Sequence, residues 1–327
     1  MPICMPLRPY STVEGVNQWV RTAPVTIAVI TRDRPRQLDA LLVRLAALYG
    51  DQSGVGLVVV DNDPGASAKP VVECRRDAFA GHVRYDVEPH PGYSTARNHA
   101  VRLVETDFFA FIDDDEIPDA GWLEALLRVQ ESYAADVVAG PVWVSLPEDA
   151  AAVITRSGVF EAHIGPRQKV TGERMDWCAT GNTLVRRAIF EKVGGFDVRF
   201  DRAGGEDCHF FLRATLEGFT IVWCPGAVTR EEAPPERLRP EWHISRARHV
   251  GRIQTMLDVE LRWSARNVVA RVAKFGYQVA RGTSLIVVGA ARGDAAMGLR
   301  GRCALALALG MADAAVAALR RWAFPSR

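Results

Sequence analysis

Four consecutive acids, Asp113-Asp114-Asp115-Glu116, follow directly on the apolar run Phe108-Phe109-Ala110-Phe111-Ile112. A run of that kind suits a strand buried on both faces, so the acids fall where the strand leaves its sheet. In open α/β sheets, ligands collect beyond the carboxyl ends of the strands. Carboxylates crowded there repel one another unless they share a cation, and hard divalent ions prefer oxygen ligands. The pattern therefore points to Mg²⁺ or Mn²⁺ carrying a diphosphate. The bland alternative is a solvated acidic loop, or a helix start with acids near its positive end. A second acidic pair, Glu206-Asp207, follows Gly204-Gly205 and precedes Phe210, Phe211, Ala214 and Leu216 at helical spacing. The glycines permit a tight turn and set both acids at a helix N-terminus. Dipole stabilisation of about 0.3–1 kcal/mol per acid is the competing explanation for them.

The elements that must position these acids alternate. Val25–Ile30 is a buried strand that ends in Thr31-Arg32-Asp33-Arg34-Pro35, with Pro35 suited to the first turn of a helix carrying Leu38, Leu41, Leu42, Leu45 and Leu48. Leu57–Val60 is a second strand, stopped by Asp61-Asn62-Asp63-Pro64-Gly65, and a helix pattern follows to about Ala80. Val83–Val87 is a third strand, after which Ser94 or Thr95 can cap a helix through Val104. Beyond the acids the pattern gives a helix from Trp122 to about Tyr133, a strand at Val137–Val144, an irregular excursion over 145–176 and a last strand at Thr220–Trp223. Strands alternating with helices argue for a mostly parallel, doubly wound sheet. No G-x-G-x-x-G and no Walker A loop follows the first strand.

The chain of 327 residues carries a net charge of +1, unevenly spread. From Arg230 onward there are 17 Lys and Arg against 8 Asp and Glu, a net of +9 that leaves −8 on residues 1–229. A basic tail on an acidic body suggests an anionic surface or substrate near the tail. Nothing in the pattern points to nucleic acid. The cysteines Cys4, Cys74, Cys178, Cys208, Cys224 and Cys303 are scattered without a C-x-x-C pair, so neither a zinc site nor a disulfide framework is indicated and a reducing cytoplasm is expected. The N-terminus shows no charged region followed by an apolar core, so no signal peptide is expected.

In order along the chain, these motifs resemble an inverting family 2 glycosyltransferase of the nucleotide-diphospho-sugar (GT-A) fold over about residues 24–230. The set comprises Thr31 to Pro35, Asp61-Asn62, Ala96-Arg97-Asn98, the D-x-D element Asp113-Asp114-Asp115, Gly181-Asn182, Gly194-Gly195-Phe196-Asp197 and Glu206-Asp207 with Phe210 and Arg213. The phrase from Ala110 to Glu116, with Pro118 and Trp122, looks most like glucosyltransferases of succinoglycan-type exopolysaccharide assembly. The resemblance implies a Rossmann-like, mostly parallel sheet with a C-terminal helical tail. It implies Thr31, Asp33 and Asp61 at the nucleoside, Arg97 at the base or diphosphate, Asp114 facing the ribose, and Asp113 and Asp115 on a Mn²⁺ or Mg²⁺ ion. It implies Asp207 as catalytic base, with Glu206 and Asn182 at the acceptor. Some relatives carry a metal-binding His after the last strand; here that region is Val228-Thr229-Arg230-Glu231-Glu232, and His243 is the available substitute.

The domain expectation is an arm over 1–23, a catalytic domain over 24–235 (donor half to about 145, acceptor half from 146) and a helical tail over 236–327. The tail mixes Arg and Lys with apolar residues. Its apolar stretches Ser284–Ala291 and Cys303–Leu319 are short for a membrane span, the second with Asp313 inside. Amphipathic helices on the inner face of the cytoplasmic membrane are expected, with a packed helical pair or dimer interface as the alternative. Ala318-Leu319-Arg320-Arg321-Trp322 lacks the Gln of the Q-x-x-R-W motif of processive synthases, so one sugar per event is expected, from a UDP-sugar to a glycan or lipid-linked acceptor. A sugar-nucleotide pyrophosphorylase and a non-catalytic scaffold are the rivals.

Overall fold

A computed structural model describes residues 24–148, 150–160 and 169–323. The arm expected at 1–23 lies outside the described residues. In chain order the elements are β1 (Val25–Thr31), α1 (Pro35–Tyr49), β2 (Val55–Asp61), α2 (Lys69–Arg75), β3 (Val83–Val87), α3 (Tyr93–Leu103), β4 (Phe108–Ile112), β5 (Glu116–Pro118) and α4 (Trp122–Tyr133). There follow β6 (Val137–Ala139), β7 (Val142–Ser145), α5 (Ala152–Ser157), β8 (Arg174–Met175), β9 (Asn182–Arg186), α6 (Ala188–Val193), α7 (Glu206–Leu216), β10 (Ile221–Trp223) and β11 (Thr229–Glu232). Three helices end the series: α8 (Pro240–Leu261), α9 (Ala265–Arg292) and α10 (Ala295–Ala323).

The main sheet runs β3-β2-β1-β4-β9-β6-β10-β8, and a small sheet runs β5-β11-β7. The expected parallel core is present: β1 pairs with β2 and β4, and β2 with β3, all parallel. β9 is antiparallel to both β4 and β6. The strands are buried on both faces because helices cover both, which is why they read as unbroken apolar runs. Leu38, Leu41, Leu42 and Leu45 of α1 are fully buried with Ile27, Val29, Val59 and Trp122 on one face of the sheet. Phe109, Phe111, Phe196, Phe210 and Phe211 form the core of the other.

Three local expectations are corrected. The single strand expected at 137–144 is two, broken at Gly140-Pro141. Pro141 has no N–H to give a ladder, and its carbonyl accepts instead from Asn182 Nδ2 at 3.0 Å. Helix α3 starts at Tyr93 without a cap from its own side chains. Asp201 does that work from elsewhere in the chain, accepting from the Thr95 N–H at 2.9 Å and its hydroxyl at 2.6 Å. Cys74 is disulfide-bonded, while Cys178, Cys208, Cys224 and Cys303 are free.

The chain divides into two compact units, one of residues 1–143 and 166–231, the other of 144–165 and 232–327. Of the excursion after β7, residues 144–160 thus group with the C-terminal helices and residues 169–176 with the main sheet. The first unit holds the main sheet. In the second, α10 packs on α8 and α9 through small residues. A Cβ at Gly251 or Gly310 would run into backbone of the opposite helix, and one at Gly282 or Gly301 into the α9–α10 crossing. Asp313 pairs with Arg248 of α8 at 2.8 Å. The apolar stretch Cys303–Leu319 lies within α10, and Ala295–Leu319 is long and apolar enough to cross a membrane by length and composition; 33% of that window is buried in the protein. An interior helix of a soluble protein meets the same criteria.

Trp122 is fully buried, and its indole N–H donates to Asn182 Oδ1 at 2.7 Å. Replacing Asn182 with Ala orphans that N–H and the Ala227 carbonyl in the core, while the Pro141 carbonyl keeps the Thr229 N–H as a donor. At about 1–3 kcal/mol per unsatisfied buried group, Asn182→Ala is expected to lose at least ~2 kcal/mol in urea denaturation; a loss under ~1 kcal/mol would remove Asn182 from the core network.

Candidate active site

The acids of β4 end as the sequence placed them, at the carboxyl edge of the sheet beside the end of β1. Thr31 closes β1, and its hydroxyl donates to Asp114 Oδ2 at 2.7 Å. Asp114 is buried, and burial pushes its carboxyl up to about 6, helped by Asp115 and Asp113 and opposed by Thr31 and Arg34. Arg34, to which the sequence assigned no role, bridges Asp114 at 3.1 Å and Asp115 at 2.8 Å. Its signal was position alone, a cation in the loop that leaves the first strand. Asp33 is exposed with a left-handed φ of 53°.

Helix α7 supplies the second acidic pair. Gly204 and Gly205 precede it at φ 71° and 93°, a left-handed turn that any other L-residue would enter at a cost. Glu206 and Asp207 then diverge. Glu206 is buried and forms an ion pair with Arg97 of α3. Burial pushes the Glu206 carboxyl up while Arg97 pulls it down, and its Oε2 has no hydrogen-bond partner. Asp207 stays partly open to solvent and accepts from the Cys208 N–H at 2.7 Å. The Cys208 thiol also hydrogen-bonds Asp207, and burial with that carboxylate holds it protonated, well above the usual thiol range. Arg97 also approaches Asp113, at 3.7 Å. Desolvation pushes the Asp113 carboxyl up against the pull of Arg97, and both Asp115 and Asp207 add to the rise. The two acidic clusters, far apart in sequence, therefore meet.

Several expected site residues have other employment. Asp61 is 0% exposed; its carboxylate accepts from the Ala68 N–H at 2.8 Å, the Tyr85 hydroxyl at 3.0 Å and the Asp63 N–H at 3.1 Å. It holds the loop after β2. Arg97 is 6% exposed and pairs with Glu206. Asn182, 2% exposed, spends both ends of its amide on Trp122, Pro141 and Ala227. His243 lies in the second unit with Nε2 donating to the Arg237 carbonyl at 2.7 Å, so that nitrogen is taken.

Motifs read as separate signals turn out to bind each other. Asn98 donates to the Phe196 carbonyl and accepts from its N–H, both at 2.8 Å. A Cβ on Gly195 would strike the Asn98 amide. Ser94 donates to the Asp197 carbonyl at 2.7 Å. The Arg97-Asn98 helix is thereby docked on the Gly194-to-Asp201 segment that leads into α7.

Glu116, within the acid run but given no role, lies buried in β5. Its Oε2 accepts from the Thr229 hydroxyl at 2.6 Å, and it stands opposite Glu231 in the β5–β11 register. Burial, then the Asp113 charge, pushes its carboxyl well above the usual range. A Cβ on Gly181 would collide with Glu116 Oε1 and crowd Asp113 Oδ2. Gly181 thus leaves room where two acids converge. Among the described residues no three His, Cys, Asp or Glu are arranged to hold a metal ion unaided.

Breaking a buried ion pair by removing one partner typically costs about 3–5 kcal/mol, because the other charge is left unpaired. Arg97→Ala is expected to destabilise the fold by that amount, and Arg97→Met with Glu206→Leu by clearly less than the sum of the single changes. Denaturation of the double-mutant set measures it; a single change without effect on stability but with lost nucleotide binding would return Arg97 to the diphosphate.

The family model described as "Glycosyltransferase like family 2" matches residues 23–255. The chain is 31% identical over 261 residues to the succinoglycan biosynthesis protein ExoM of Rhizobium meliloti (strain 1021), covering 78% of this chain and 83% of that one. Among solved structures it is similar to S. aureus TarS 1-349 in complex with UDP-GlcNAc, with TM-score 0.52, 17% identity and coverage of 73% of this chain and 68% of that one. It is also similar to GalNAc-T7 with UDP, GalNAc and Mn2+, with TM-score 0.52, 11% identity and coverage of 72% and 50%. These two likenesses bear on the fold, which is GT-A with a helical C-terminal region. With the family match spanning well over half of its length, the chain belongs to glycosyltransferase family 2.

Proposed function

We propose that the protein moves one sugar, with inversion, from a UDP-sugar to a hydroxyl of a glycan or lipid-linked glycan, in cell-surface or exopolysaccharide synthesis at the cytoplasmic face of the membrane. The observation that carries this is the meeting of two acidic groups with different environments: Asp113 and Asp115 at the end of β4, and Asp207 at the start of α7. One suits a leaving group and the other a nucleophile. The nucleotide reading is supported by the TarS and GalNAc-T7 structures, which hold UDP-GlcNAc and UDP. Membership in a glycosyltransferase family argues against the pyrophosphorylase and the scaffold.

Asp207, partly open to solvent, takes the proton of the acceptor hydroxyl. The acceptor oxygen then forms the new bond to C1 from the face opposite the diphosphate, and the C1–O bond electrons leave with the diphosphate. Thr31 and Asp114 lie where β1 and β4 end, suited to the ribose and its hydroxyls. Asp113 and Asp115 would hold a Mn²⁺ or Mg²⁺ ion, the missing Cβ of Gly181 leaving room beside Asp113. Two carboxylates with diphosphate oxygens and water fit the habits of Mg²⁺, which rarely uses an all-protein cage. Such an ion supplies Lewis-acid stabilisation of the departing diphosphate. Arg97 and Glu206 fix the α3–α7 geometry that sets Asp207 against Asp113.

UDP release from a panel of UDP-sugars with Mn²⁺ tests the assignment. Turnover of one donor is expected, lost on chelation. Asp207→Asn should lower it by about 10²–10⁴-fold, the usual worth of a general base, while UDP still binds. Asp115→Asn should weaken the Mn²⁺ dependence of UDP binding. Wild-type turnover in Asp207→Asn would take the base away from α7.

A further inference from the structure

Helix α9 is amphipathic the wrong way round for a helix that serves only the protein core. Its protein-facing side is narrow: Gly282 and Gly289 are its only buried residues, both at the close crossing with α10. Its outward side is apolar. Val268, Val272, Phe275 and Val279 recur at three- and four-residue spacing, Val269 and Val287 lie on the same broad face, and all six are exposed, Val269 and Val272 to 68% and 66%. Trp263 stands exposed just ahead of the helix.

The charges on α9 are of one sign. Its 28 residues contain Arg266, Arg271, Lys274, Arg281 and Arg292 and no acid. Arg271 pairs with Asp258 and Lys274 donates to Gln254, both on α8. Arg266, Arg281 and Arg292 are exposed. On a helical projection Arg281 and Arg292 lie on the side of the helix away from Val272 and Arg266 toward that side, so the cations form a face of their own and the apolar face is uninterrupted. An exposed apolar face backed by a cationic one has two natural covers, a second copy or an anionic interface. A second copy would cover the valines and leave the cations unneutralised. An anionic phospholipid surface would neutralise them and take up the valines and aromatics at the headgroup boundary.

We infer that α9 is an in-plane anchor that seats its Val269–Val272–Val287 face in an anionic phospholipid bilayer, with Arg266, Arg281 and Arg292 against the headgroups. α10 is the partner that holds α9 by its flank, at the Gly282–Gly301 crossing. The anchor gives the membrane contact of the proposed function a defined surface. It stands apart from the transfer chemistry, because it can be read with no donor present.

The test is flotation of the full chain with phosphatidylglycerol–phosphatidylcholine vesicles against pure phosphatidylcholine, at low and high salt. Capture by the anionic vesicles is expected, weakened by salt. Val269→Asp with Val272→Asp, and separately Arg266→Glu with Arg281→Glu and Arg292→Glu, should each lower capture about tenfold. All five positions are exposed, and UDP binding in vesicle-free buffer reports whether the catalytic unit remains folded. Equal partition into both vesicle types overturns the anchor. So does a dimer that Val272→Asp dissolves in the absence of vesicle capture, which would assign the face to a second copy. UDP-sugar turnover measured separately can fail or succeed on its own, so the two readings are told apart.

Discussion

The buried ion pair between Arg97 and Glu206 is the constraint on which the site depends. A guanidinium at 6% exposure demands a counter-ion, and Glu206 provides it across the gap between α3 and α7. The same guanidinium approaches Asp113, so one cation links the end of β4 to the start of α7. With Arg97 neutralised from two sides, Asp207 stays partly open to solvent beside the pair. A site built for a reaction between two anionic regions needs this kind of fixed spacer. The charges would otherwise drive the elements apart.

The polar lattice around that pair is made of short side chains bonding to backbone. Asn62 holds the β3–α3 loop by accepting from the Gly92 N–H and donating to the Glu88 and His90 carbonyls. Asn98 holds Phe196, Asp201 holds Thr95 and Asn182 holds Trp122. Each saturates a buried backbone or indole group that would cost free energy unpaired. Motif residues that look like ligand binders in a sequence thus include many that brace the loops on which the ligand binders sit.

The second unit follows different physics. Its helices meet at Gly and Ala, which bring backbones close and bury little side-chain area, and much of the apolar surface of α9 is left outward. The Arg248–Asp313 pair joins α8 to α10 at the surface, where such a pair is worth little alone. The contrast with the sheet, whose apolar strands are covered on both sides by helices, is the reason the tail presents a surface and the catalytic unit presents an edge.

The sequence by itself determined where the core strands lie and that they run mostly parallel, because strands buried on both faces must be apolar throughout and their ends are marked by Asp, Asn, Gly and Pro; their order across the sheet came from the structure. It also determined that acids cluster at two strand or helix ends, since Asp113 to Glu116 and Glu206-Asp207 are contiguous. Only the tertiary structure decided which acids remain available. Asp61, Asn182, Arg97 and Glu206 carry the right chemistry at the right motif positions, and the fold buries all four and gives each partners inside the protein; neither burial nor partners is a local property of the chain. Arg34, Glu116 and Glu231 were hidden for the same reason, since a residue's neighbour across a sheet or between helices is set by packing at long range. The small strands β5 and β11, with only three and four residues, are too short to leave a periodic signal and exist because they pair with each other.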